Sequence, residues 1–135
     1  MGGFVAQKYL EKHYAPAGVL MASMPSRSVR RAREHFFCDS TPESVVVACA
    51  QRLQAESHHG GGLRVRIRHA QVTTPLLVLG AEEDRAVSCH AVRTTARDYG
   101  TKAEMFAGMG HNMMLEPGWP LVAARIQSWL AGLGP

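Results

Sequence analysis

Apolar positions change their period several times along the chain, and each change marks an element. Val5 with Tyr9 and Ala6 with Leu10 recur at i,i+4, one face of a helix, and Pro16 ends that pattern shortly after His13. The continuous run Ala17-Gly18-Val19-Leu20-Met21-Ala22, bounded by Pro16 and the turn-like Ser23-Met24-Pro25-Ser26, predicts a short buried strand. A polar, Arg-rich stretch reaches Asp39. Thr41 can then cap a helix that has Pro42 at its first position and Glu43 against the positive end of its dipole. Val45, Val46, Cys49 and Leu53 form its apolar stripe, and the pattern predicts that it runs to about Glu56.

His58-His59-Gly60-Gly61-Gly62 interrupts the pattern and predicts the end of an inserted segment. Pro75-Leu76-Leu77-Val78-Leu79-Gly80 is apolar without alternation, as expected of a strand buried on both faces. A helix is predicted over Ser88 to Tyr99, closed by Gly100, followed by a short strand over Lys102 to Phe106. Trp119, Val122, Ala123, Ile126, Trp129 and Leu130 lie on one face of a final helix, with Pro117 and Pro120 near its start. Strands alternating with helices predict an α/β fold of roughly three parallel strands joined by right-handed crossovers.

Composition fits a folded domain or part of one: 135 residues, 46% hydrophobic and 19% charged. The longest apolar run, Leu76 to Leu79, is far below the roughly 18 residues of a membrane span, and no targeting segment is evident. Cys38, Cys49 and Cys89 are odd in number and form no C-x-x-C, which predicts neither a disulfide framework nor a zinc site but reduced thiols in a cytoplasm. The net charge is +4, and the basic residues cluster in two places, at Arg27, Arg30, Arg31 and Arg33, and at Arg64, Arg66 and Arg68 alternating with Val65 and Ile67. No aromatics interleave with them, so solvated surface is the expectation and nucleic acid is not the expected partner; anionic head groups or an anionic substrate are the alternative.

Parallel sheets react at the carboxyl ends of their strands. Two loops there carry chemistry: Gly80-Ala81-Glu82-Glu83-Asp84-Arg85 after one strand, and Ala107-Gly108-Met109-Gly110-His111-Asn112 after the next. Asp84 and His111, one strand-helix-strand unit apart, can meet, the carboxylate orienting an imidazole that takes a proton from a nucleophile. Gly108 and Gly110 are expected to let the backbone turn sharply enough to aim the ring over the sheet. Glu82 and Glu83 are competing acids. His58-His59 point apart and have no third ligand, so no metal is expected. Met109, Met113 and Met114 suit an apolar pocket or plain core equally.

In this setting the chain resembles the C-terminal half of an α/β-hydrolase. Gly80 to Asp84 is similar to the acid loop of that family, Gly108-Met109-Gly110-His111 to its histidine loop, and Met1-Gly2-Gly3-Phe4 to the stretch after the nucleophile in members that read G-x-S-M-G-G. The resemblance implies one domain portion over residues 1–135, a helical cap-like insertion at about 24–72, Asp84 and His111 as catalytic residues, no cofactor, and hydrolysis of ester or similar acyl bonds. The family's serine would immediately precede Met1, and its oxyanion-hole loop would lie further upstream, so the chain by itself is expected to be inactive. Ser23, Ser88 and Cys89 lack the small flanking residues of a nucleophile elbow and are expected to be turn and helix-start residues. A half sheet exposes an edge that a second copy or a separate N-terminal half can cover. The alternative function is therefore a non-catalytic interaction module, and a completed protein is expected to take a small ester or lipid-like substrate.

Overall fold

A computed structural model describes residues 9–20, 29–52 and 67–134 of the chain. Their elements are β1 (Gly18–Leu20), α1 (Val29–Phe36), α2 (Glu43–Arg52), β2 (Leu76–Ala81), α3 (Cys89–Asp98), β3 (Ala103–Phe106) and α4 (Trp119–Gly132), with short 3-10 turns at His69–Gln71 and Met113–Leu115. The three strands form one parallel sheet in the order β1-β2-β3. The expected α/β alternation is present, and the strand pairing follows chain order.

The central strand explains the layering. Leu77, Leu79 and Ala81 of β2 point to one face, where Met109, Met113 and Val122 complete a buried cluster and Phe106, Trp119, Ile126 and Trp129 pack against it. Gly80 lies on the other face, so close to Met105 and Val92 that a Cβ there would stand 2.8 Å from the Met105 Cε and 2.9 Å from the Val92 Cγ1. Helix α4 thus covers one face and α3 the other, which is why β2 reads as a continuous apolar run. Complete burial of one such Leu or Val side chain contributes about 1.5–3 kcal/mol. At the outer layer, Arg125 of α4 grips both carboxylate oxygens of Glu104 on β3 at 2.6 and 2.5 Å, and this pairing raises the arginine's pKa.

The capping signals behave as their chemistry requires. Ser88 Oγ accepts the Ala91 N–H at 3.2 Å to start α3. Gly100, with φ +68°, lies just beyond its end. Pro120 occupies the first turn of α4.

Three expectations need correction. The Arg-rich stretch before Asp39 is not merely polar: residues 29–36 form α1, whose Ala32 and Phe36 are buried with Phe37, Val46 and Ala50 in a second core cluster. Arg33 is no solvated bystander, because its guanidinium donates to Glu43 at 2.6 Å and to the Thr41 carbonyl at 2.9 Å, joining α1 to α2. Leu130 is 45% exposed although it shares the predicted stripe of α4. The first predicted helix is described only at its end, where the Lys12 and His13 amides donate to the Tyr9 carbonyl. The predicted continuation of the second helix to about Glu56 with Leu53, the glycine-rich break, His58-His59, Ser23, Arg27, Arg64 and Arg66 lie outside the described residues. Among the described residues, no helix is long and apolar enough to cross a membrane.

Candidate active site

The sheet continues into its loops. Beyond Ala81 the Glu82 N–H donates to the Phe106 carbonyl at 3.0 Å and the Glu83 N–H to the Met109 carbonyl at 2.9 Å, so the loops after β2 and β3 travel as a bonded pair. That pairing brings Asp84 to His111. Asp84 Oδ2 and His111 Nδ1 are 2.8 Å apart, and both side chains are nearly buried, at 8% and 1% exposure.

Each partner is fixed separately. Asp84 Oδ1 accepts the N–H groups of Ala86 at 2.7 Å and Val87 at 2.8 Å, a local turn that satisfies the oxygen not used by the imidazole. An ionised carboxylate only accepts, so beside an ionised Asp84 the His111 Nδ1 carries a proton and donates a hydrogen bond to it. Nε2 is then the ring atom left for chemistry. It is buried and has no hydrogen-bond partner among the described residues. A buried polar atom without a partner costs free energy unless something uses it, and such atoms collect at functional sites. Glu82 and Glu83 are exposed, which leaves Asp84 as the acid that meets the histidine.

The histidine loop owes its shape to two glycines with different roles. Gly108 has φ +67°, a left-handed turn that favours glycine. Gly110 was expected to supply conformational freedom as well, but it supplies space: a Cβ there would meet Glu116 Oε1 and the Phe37 carbonyl carbon at 2.8 Å and the Cys38 nitrogen at 2.9 Å. Phe36 packs on the imidazole with ring centroids 5.6 Å apart, and its carbonyl accepts the Asn112 N–H at 2.8 Å. The segment between β1 and β2 therefore helps build the site. Sequence patterning missed both Phe36 and Glu116; an acidic residue within an otherwise apolar stretch, Met113-Met114-Leu115-Glu116, was the available signal for the latter.

The remaining candidates separate cleanly. Met109 and Met113 belong to the core, whereas Met114 is exposed at the surface. Ser88 is a helix cap. The Cys89 sulfur lies 3.7 Å from the Glu82 carbonyl. Cys49 approaches Asn112 Nδ2 at 3.6 Å, but burial raises its pKa against the opposing pull of Arg52, which favours the thiol over the nucleophilic thiolate. All three cysteines are free thiols, and no cluster of potential metal ligands occurs among the described residues. A groove of about 370 Å³ opens at the opposite end of the sheet, between Thr74, Pro75, Leu76, Tyr99, Thr101 and Trp129. Its shape is concave, but neither Asp84 nor His111 lines it.

Comparison with solved structures bears on the fold. Over 99% of its length the chain superposes on a thermophilic esterase from Thermogutta terrifontis, solved with malate bound, at a TM-score of 0.63 and 15% identity, covering 52% of that chain. Over 97% it superposes on a membrane phospholipase A described as a bacterial virulence factor, at 0.64 and 18% identity, covering 54% of that chain. The chain thus spans about half the length of each, and its fold is hydrolase-like. No family model and no curated protein matches it.

Proposed function

We propose that this chain carries the acid and the histidine of an α/β-hydrolase site acting on ester or similar acyl bonds. His111 is the general base and then the general acid, working through Nε2, and Asp84 holds the ring in the Nδ1–H tautomer and stabilises the imidazolium that forms. The observation that carries this reading is the 2.8 Å Asp84–His111 contact, with the far nitrogen buried and unpartnered. Among the described residues no hydroxyl or thiol bonds to that nitrogen; in this reading the nucleophile and the oxyanion donors are supplied by residues outside them. β1 and β3, each paired with β2 alone in the described sheet, are the edges at which the rest of the fold would join. The substrate is a small ester or a lipid-like ester, a reading supported by the superposition on an esterase and a phospholipase A.

The test is covalent labelling by a fluorophosphonate. The polypeptide in which the sheet is complete should be labelled at one serine, and His111→Ala should abolish the labelling. The 135-residue chain by itself should remain unlabelled. Labelling of the isolated chain at one of its own described serines would overturn this account of the nucleophile, and labelling that survives His111→Ala would overturn the role of the histidine.

A further inference from the structure

We propose that Glu116 is a positioning residue for His111, acting through the backbone of Gly110 and Cys38. The proposal rests on the reading of His111 as the base of the site. Glu116 is 4% exposed. Its Oε1 accepts the Cys38 N–H at 3.0 Å and the Gly110 N–H at 2.9 Å, and its Oε2 accepts the Gly110 N–H at 2.9 Å. Taking a carboxylate out of water is costly unless charge-assisted hydrogen bonds replace the lost hydration. Here the replacing donors belong to two stretches of chain, one of them 78 positions away.

The two stretches are those that enclose the imidazole. Gly110 precedes His111 and is tied to Cys38 through the carboxylate; Asn112 follows it and is tied directly to the Phe36 carbonyl at 2.8 Å. The ring of Phe36 then rests on the imidazole. His111 is therefore held between two anchored neighbours, one of which depends on Glu116. The close fit at Gly110, where an added Cβ would stand 2.8 Å from Glu116 Oε1, makes the same joint intolerant of any side chain. A carboxylate that served stability alone would leave the tautomer of the imidazole to Asp84. A positioning carboxylate makes that tautomer depend on itself as well.

Nitrogen NMR of the full 135-residue chain labelled at histidine separates these roles. The unaltered chain should show the His111 ring in a single Nδ1–H form. Glu116→Gln keeps the volume but turns an amide N–H₂ toward a backbone donor. It should speed exchange of the Nδ1 proton about tenfold, the effect of one lost hydrogen bond, and move the ring nitrogens toward tautomer-averaged positions, while the amides of β3 stay in place. Gly110→Ala, which displaces the carboxylate, should give the same signature and decides the matter should Glu116→Gln not fold. An imidazole unchanged in both variants overturns the proposal. Asp84→Asn is the separate control: no change there overturns the Asp84–His111 reading itself, whereas a change there with none in Glu116→Gln overturns the positioning role alone.

Discussion

The acid loop and the histidine loop meet at one hydrogen bond but are built on opposite principles. Asp84 is held by its own neighbours, two and three positions along, through Ala86 and Val87. His111 is held by distant ones: Phe36 packs on its ring, Asn112 reaches the Phe36 carbonyl, and Glu116 ties Gly110 to Cys38. The contrast predicts that the carboxylate keeps its turn when the segment between β1 and β2 is disturbed, while the imidazole loses its orientation. Damage to that segment should reach the base before the acid.

The largest effect should come from Phe36→Ala. Phe36 is 3% exposed, and truncating a buried Phe costs about 3–5 kcal/mol. Urea unfolding should show that loss. Hydrogen exchange should quicken at Gly110 and Asn112 more than at Ala86 and Val87, and equal quickening in both loops would contradict the contrast. Asp84→Ala strands His111 Nδ1 and two backbone donors, so its expected cost is about 1–3 kcal/mol, with exchange now rising first in the acid loop. Ser88→Ala removes the cap that starts α3 directly after that loop, and about 1 kcal/mol should be lost; a loss confined to the histidine side would show the acid loop is not self-supporting.

The smallest effect lies at the far end of the sheet and serves as the reference. Burial, aided by the carboxylates of Glu11 and Asp98, pushes the Tyr99 phenol from 10.0 up to about 12. The native state thus holds this proton more tightly than the unfolded chain. Its contribution is complete below pH 10, and is lost as pH rises toward about 12. Tyr99→Phe should flatten that alkaline decline in urea midpoints without altering exchange in either loop, and an unchanged decline would place its origin elsewhere.

The same local-versus-distant division decided how much could be read from the chain. β2, α3 and the Asp84 turn follow from contiguous signals: an apolar run, a Ser cap, a closing glycine, a carboxylate just past a strand. Pairing of the two loops was legible because parallel strands bring their carboxyl ends together. Helix α1 was not, because four arginines in seven positions mask the Ala32 and Phe36 face. Glu116 was not, because its partners are backbone amides, which leave no trace in side-chain identity. Gly110 was noticed for the wrong reason: the chain shows that a glycine is present, not whether it turns the backbone or makes room for Glu116.

Whether the pair does chemistry is tested most directly by the ester-hydrolysis rate of the polypeptide in which the sheet is complete, comparing kcat/KM for the unaltered protein, His111→Ala and Asp84→Asn. Loss of the base should lower the rate by roughly 10³- to 10⁶-fold, and Asp84→Asn, which leaves the ring but not its tautomer, by about 10⁴-fold. Hydrolysis that persists within about threefold in His111→Ala, well inside the scatter of ordinary substitutions, would contradict the assignment of this buried nitrogen as the base.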